Sequence, residues 1–408
     1  MNRFAPFEWI AAIRFMREGL IQTSLIIIGV ALGVAVIVFM SALLASLQTN
    51  LFRRTLSFQA QIVVNPPEEV ARPQREPGEG AIAALVQPRS QRLKSVDQWQ
   101  KVRSQIERLP DVTDVTPVVS GPGFAIRGDA NKAVTITGVE PETYLRVIAL
   151  TDKIVAGKVG VGTSEIVIGT ELAKDLGAAL DDKLRLATAS GAAETLTVTG
   201  IFDFGNKGIN ERNVYISLRT AQNLLDLVGG VSSIELNVRD PFQAETVAQT
   251  IQALTALEAD SWIRTNAQFF SALSAQTLSN NFIRFFVGLT AALGIASVLV
   301  VSVVQKSREI GILRAMGTTQ GQVLRLFLVQ GAVVGLVGSL FGSVLGFLFL
   351  NLWRDIAKNP DGTPLFVVTV DPMLFVATAA GATLVGTLAA MVPARRAAKL
   401  NPVVAIRG

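Results

Sequence analysis

Four stretches free of Asp, Glu, Lys and Arg interrupt the chain, at residues 19–52, 285–305, 326–353 and 372–394. Each holds an apolar core long enough to cross a hydrocarbon layer of roughly 30 Å at about 1.5 Å per residue. A charge at mid-bilayer costs roughly 2.5–3.5 kcal/mol, so the absence of charge is itself the signal. The pattern predicts transmembrane helices at 23–50, 282–305, 326–353 and 372–394. The first apolar core, from Leu25 to Leu47, outruns the roughly 7–15 residues of a signal-peptide core and reads as a retained anchor.

Between the first two spans, residues 51–281 change character. Apolar and polar positions alternate as in half-buried strands at 61–64, 115–119, 123–127, 133–139, 165–168, 183–187, 194–202, 213–217 and 233–238. Helices are predicted at 96–109, 170–176, 218–227 and 241–257. The fold class is therefore an α-helical membrane protein with four transmembrane helices and a large α+β domain between helices 1 and 2, extracytoplasmic by the charge argument below. Residues 65–92, rich in Pro, Glu, Arg and Gly, read as a flexible excursion. Gly157, Gly160 and Gly162 suggest a division into two subdomains near 149–162.

Charge orients the spans. Arg3, Arg14 and Arg17 precede the first; Lys306, Arg308, Arg314 and Arg325 join the second to the third; Arg395, Arg396, Lys399 and Arg407 follow the fourth. These segments belong on one side by the positive-inside rule, which makes both termini cytoplasmic. Residues 1–22 form an amphipathic cytoplasmic start with Trp9 and Phe15 at the interface, 306–325 a cytoplasmic connection, 354–371 a short periplasmic loop and 395–408 a cytoplasmic tail.

Composition agrees: of 408 residues, 50% are hydrophobic and only 17% charged, with a mean hydropathy of +0.44. The formal charge of +5 is concentrated inside, which excludes a nucleic-acid surface. With no Cys and no His, disulfides, thiolate or imidazole metal sites and imidazole bases are excluded. Residues 160–164 (GVGTS) open like a phosphate loop, but no Gly-Lys-Ser/Thr follows, and Asp181 with Asp182 reads as a turn rather than a cation site. No catalytic residue, metal site or cofactor is expected on this chain.

Residues 305–323 (QKSREIGILRAMGTTQGQV) resemble the signature of the MacB/FtsX-like ABC transporter permeases, the type VII or mechanotransmission family. The likeness extends to 11–15 (AAIRF), 29–34 (GVALGV), 166–177 (IVIGTELAKDLG) and 392–402 (VPARRAAKLNP), and is strongest to the lipoprotein-releasing LolC/LolE kind. The resemblance implies a bacterial inner-membrane permease whose ATP and Mg sit on a separate cytosolic ABC ATPase. It also implies a second permease copy, as homodimer or LolC/LolE-like heterodimer, and for some branches a periplasmic adaptor; membrane lipids are further partners, nucleic acid is not. The function implied is mobilisation of a lipid-linked or amphiphilic cargo, by lipoprotein release or export. The alternative is an FtsX-type signalling transducer controlling cell-wall hydrolases.

Three residue groups follow. Residues 306–316 can prolong the second span as a helix that Gly317 stops, and Thr319 with Gln322 has capping-box spacing for the next. Arg308, Glu309, Ile312, Leu313, Arg314, Met316, Gly317 and Thr318 are the candidate ATPase-coupling residues. Gly29 with Gly33, and Gly331, Gly335, Gly338 and Gly342, form small-residue faces for helix packing or a dimer interface. By position in the first two spans, Leu25, Val36, Phe39, Phe285, Phe286 and Leu289 are candidate cargo-facing residues.

Overall fold

The computed structural model describes residues 7–67, 93–357 and 371–401. Most of the proline-rich excursion, the loop after the third span and the end of the tail lie outside the described residues. The chain forms two compact units: Met1–Leu51 with Ser271–Gly408, and Phe52–Phe270.

Four helices are long and apolar enough to cross a membrane: Leu20–Phe58, Ala267–Gln305, Gln320–Ile356 and Pro372–Ala398. They contain the four expected spans and run past them. The first two, at 39 residues each, measure about 58 Å, nearly twice the hydrocarbon thickness. Both continue as helix past the expected spans, through 51–58 in the first and 267–281 in the second.

Within the membrane unit, glycine faces set the packing. A Cβ added at Gly331 would meet Ala390 Cβ at 2.6 Å, and one at Gly335 would fall on the Ala382 carbonyl, so the third span lies backbone to backbone against the fourth. Farther along the third span, a Cβ on Gly338 would meet Val30 Cγ1 at 2.6 Å and one on Gly342 would meet Val34 Cβ at 2.7 Å, both on the first span. Gly33 faces Val287 Cγ1 of the second span, 3.0 Å from an added Cβ. Gly29 differs from the other glycines of the two predicted faces: no atom lies within 4 Å of its Cβ position.

The outer unit is built on one mixed ten-stranded sheet. Its strands are β1 (Ile62–Asn65), β2 (Val112–Arg127), β3 (Ala130–Val139), β4 (Ile154–Gly157), β5 (Glu165–Gly169), β6 (Lys183–Ala187), β7 (Ala193–Phe202), β8 (Asn213–Ser217), β9 (Ser233–Val238) and β10 (Glu258–Ser261). The order is β10-β1-β9-β2-β3-β8-β5-β7-β4, with β6 on β2 and β7. The sheet is continuous across the glycine cluster at 157–162: β2 pairs with β6 and β3 with β8. The two strands expected at 115–119 and 123–127 are one, since Gly121-Pro122-Gly123 stays paired with β3. The helix expected at 96–109 is confined to Trp99–Ile106.

Alternation supplies two cores, one per face. Ile62, Ile136, Ile166, Val214 and Leu236 point to the first, beneath the helices Trp99–Ile106, Thr170–Leu176, Leu218–Leu224 and Ala244–Thr255. Val118, Val139, Val167 and Tyr215 point to the second, which the helix Pro141–Val147 supplies with Tyr144 and Val147. The phosphate-loop look-alike is a turn in which Glu165 accepts from Gly162 N at 2.7 Å. Asp182 accepts from Ala179 N at 2.7 Å and pairs with Arg127 at 2.8 Å.

Glu235 of β9 lies on the second face, opposite Val63 of β1 and Thr116 of β2. Among the described residues no cation lies within ion-pair distance, and burial raises its carboxyl to about 7. The folded state therefore holds this proton more tightly than the unfolded chain does. The stability it contributes is complete below the ordinary carboxylate range and is lost as pH climbs through about 7. Glu235→Gln should gain on the parent chain by about 2 kcal/mol at pH 8, discounted because the group is only half-buried. At pH 4 the two should melt alike; a pH series of thermal melts reads the difference.

Candidate coupling site and transmembrane cleft

The second span ends at Gln305, and a separate helix, Ser307–Ala315, follows. Continuous extension was expected. The break falls at Lys306 (φ −101°, ψ 14°), whose side chain turns back to the N-terminal helix Phe7–Glu18. Its Nζ lies 2.6 Å from Glu18 Oε2 and 4.3 Å from the Phe15 ring centroid. Bonds from Lys306 first, then Arg14, hold the Glu18 carboxyl below its ordinary range. Phe15 packs on Phe327 of the third span with centroids 6.5 Å apart, so the N-terminal helix braces this corner.

Gly317 at φ +102° ends the short helix in a conformation that costs a β-carbon-bearing residue energy. The capping box then forms: Thr319 Oγ1 accepts from Gln322 N at 3.3 Å while Gln322 Oε1 accepts from Thr319 N at 2.9 Å. The result is a helix, a sharp reversal and a capped third span.

The structure divides the candidate coupling residues. Arg308, Glu309, Ile312, Met316 and Gly317 are exposed, with Met316 at 79% and Ile312 at 44%. Leu313 instead packs against the membrane unit's core, beside buried Ile310. Arg314 turns inward too, and donates to the carbonyls of Ala398 at 2.9 Å and Leu400 at 2.7 Å. There the cation satisfies the free carbonyls at the end of the fourth span, a position that favours positive charge. Thr318 is half-buried.

An apolar cleft of about 490 Å³ opens between the first and second spans. Of the candidate cargo-facing residues, Leu25 and Phe286 line it. Phe285 and Leu289 are exposed away from it at 63% and 44%, as is Val36 at 45%, while Phe39 packs edge-on against Trp353 of the third span at 6.2 Å. Helical periodicity separates these neighbours: a face defined by Phe286 and Thr290 excludes the adjacent Phe285 and Leu289.

Three features had no counterpart in the sequence reading: the Lys306–Glu18 clasp, the cap by Arg314, and a polar pair at the periplasmic end of the spans. In that pair Arg284 donates from Nη2 to Ser41 Oγ at 2.6 Å and from Nε at 3.2 Å. Arg284 had marked where the second charge-free run stops, so its charge read as a boundary rather than as part of a helix.

Comparison with known proteins places this arrangement. The profile of the MacB-like periplasmic core domain matches residues 23–254, and that of the FtsX-like permease C-terminal region matches residues 281–402. The lipoprotein-releasing system transmembrane protein LolC of Neisseria meningitidis is 26% identical over 76% of this chain and 81% of its own length. The lipoprotein-releasing system transmembrane protein LolE of Haemophilus influenzae is also 26% identical, over 92% of this chain and 91% of its own length. Among solved structures, the periplasmic region of MacB from Actinobacillus actinomycetemcomitans is similar at a TM-score of 0.34 and 14% identity, covering 53% of this chain and 95% of that one. The chain belongs to the ABC transporter permeases that combine a MacB-like periplasmic core domain with an FtsX-like membrane region.

Proposed function

We propose that this permease couples ATP hydrolysis by a separate cytosolic ATPase to movement of its periplasmic domain, and so mobilises a lipid-linked or amphiphilic cargo at the inner membrane of a bacterium. The observation that carries the reading is the exposure of Arg308 and Ile312 on one short helix and of Met316 at its C-terminal end. That helix is braced from behind by the Lys306–Glu18 clasp and the Arg314 cap. Exposed apolar side chains beside a cation, on a rigid support, suit the apolar pocket of a protein partner rather than water.

On this reading both termini are cytoplasmic, and a second permease copy, of this chain or of a LolC/LolE-like partner, completes the complex. The similarity to lipoprotein-releasing proteins over most of the chain supports the cargo class. Joint replacement of Arg308, Ile312 and Met316 by alanine should lower ATPase co-purification and coupled ATP turnover about tenfold, without changing the melting of the membrane helices. Unchanged binding and turnover would refute the assignment. Arg314 is left out of the set because its loss would also uncap the fourth span.

A further inference from the structure

We propose that Arg314 makes the last turns of the fourth span move with the cytoplasmic helix Ser307–Ala315, as one body hinged at Lys306, Gly317 and Pro393. The inference rests on the coupling role proposed above and adds the side chain through which the fourth span follows the ATPase. Arg314 is a positioning residue, acting through the backbone of Ala398 and Leu400.

Three interruptions of helix bound this body. The second span stops at Gln305 and the short helix begins at Ser307, with the break at Lys306. Gly317, at φ +102°, turns the chain from that helix toward the third span, and no β-carbon resists rotation there. Pro393 lies inside the fourth helix, Pro372–Ala398. It has no N–H to give the Ala389 carbonyl, and its ring crowds that oxygen, which bends or weakens a helix at that point. Between these points lie the short helix and residues 394–400.

On the membrane side of Pro393 the fourth span is fixed to the third. Gly331 lies against the backbone of Gly386 and Gly335 against that of Ala382, so neither contact has a side chain whose rotation would allow sliding. Beyond Pro393 the packing changes character. Ala394, Ala397 and Ala398 are buried in a core shared with Ile310, Val323 and Phe327. Alanine ridges are shallow and interlock weakly, so this packing by itself lets the segment shift.

Arg314 supplies the directional hold that the alanines lack. Ile310, Leu313 and Arg314 turn inward from the short helix, while Arg308 and Ile312 stay exposed. A place beside Ile310 and Leu313 suits an apolar side chain, and a guanidinium there is costly unless it is bonded. Its Nη1 donates to two carbonyls, Ala398 at 2.9 Å and Leu400 at 2.7 Å, while its Nε is buried without a partner. Among the described residues no carboxylate lies within ion-pair distance of it. The cation is thus directed at the end of the fourth helix, and a push on the exposed face reaches that end through one side chain.

Spin labels on the full chain assembled with the ATPase test this. The chain has no native cysteine. Gly321→Cys, at an open site in the first turn of the third span, and Lys399→Cys, exposed beyond Pro393, therefore place one label on each side of the hinge. A non-hydrolysable ATP analogue should shift the distance between them by about 2 Å. Arg314→Gln should abolish the shift with the ATPase still bound, and Arg314→Lys, which can donate to the same carbonyls, should restore it. Pro393→Ala, which returns the missing N–H to the helix, should melt no lower than the parent and should also abolish the shift. It carries the test should Arg314→Gln fail to fold. An unchanged shift in Arg314→Gln or in Pro393→Ala, or no shift in the parent, would overturn the proposal. Failure of the coupling reading shows separately, as full ATPase binding after replacement of Arg308, Ile312 and Met316.

Discussion

Gly335→Leu is expected to destabilise the membrane unit by about 3 kcal/mol, at the upper end for overpacked cores. A β-carbon there would land on the Ala382 carbonyl oxygen, with Ala382 C at 3.0 Å and Thr383 Cα at 3.1 Å. All three are backbone atoms of the fourth span, so no flexible side chain can yield; the helices must part. In lipid that separation is costly, because close packing and not water exclusion holds spans together. The chain contains no cysteine, so a single Ser339→Cys, at a fully buried site on the third span, reports opening through a thiol-reactive dye during heating. Gly335→Leu should label at a markedly lower temperature than the parent. Gly381→Leu, at a position with no atom within 4 Å, should shift the midpoint by no more than about 0.5 kcal/mol equivalent. Equal labelling curves for Gly335→Leu and the parent would contradict the backbone contact.

What the sequence revealed and what it concealed divide by how local each signal is. The spans were legible because the insertion cost of a charge forbids it along the whole helix, and the Thr319–Gln322 capping box because its donors and acceptors lie three residues apart. Arg314 was misread for the opposite reason. A basic residue in a cytoplasmic connection reads as surface, while its acceptors on Ala398 and Leu400 are 84 and 86 residues away. Strand β4 was missed because Ile154–Gly157 runs into the glycine cluster, and β10 because Glu258–Ser261 has two acids and no β-branched or aromatic residue; it extends because β1 supplies its ladder, not because of its own propensity. The structure spreads the candidate coupling and cargo-facing residues over different faces of their helices. Which of Phe285 and Phe286 meets the cleft is set by helix rotation, and only packing against neighbours fixes that.

Trp262→Ala is the second large effect, expected to cost the outer unit about 3–5 kcal/mol. Trp262 is 1% exposed and stands where β10 gives way to the turn that leads into the second span. Its backbone N–H donates to Gln61 O at 2.8 Å, and its Nε1 to Pro241 O at 2.7 Å. The indole packs against Phe52, at the end of the first helix, with centroids 5.6 Å apart, and against Phe270, at the start of the second, at 5.1 Å. Phe52 and Phe270 also stack on each other at 5.8 Å. One side chain thus packs Phe52 and Phe270 against the edge of the sheet within the outer unit, and its removal opens a void among rings that cannot all close it. Trp262→Phe keeps much of the area but loses the bond to Pro241, so about 1–2 kcal/mol is expected. Phe242→Ala, where the ring is 57% exposed, should cost less than about 1 kcal/mol. Loss of the strand signal in circular dichroism of the full chain on heating ranks the three. On the coupling role proposed for the cytoplasmic helix, ATPase co-purification should not change with any of them. Equal melting of the Trp262→Ala and Phe242→Ala chains would show that this edge of the sheet is held by other contacts.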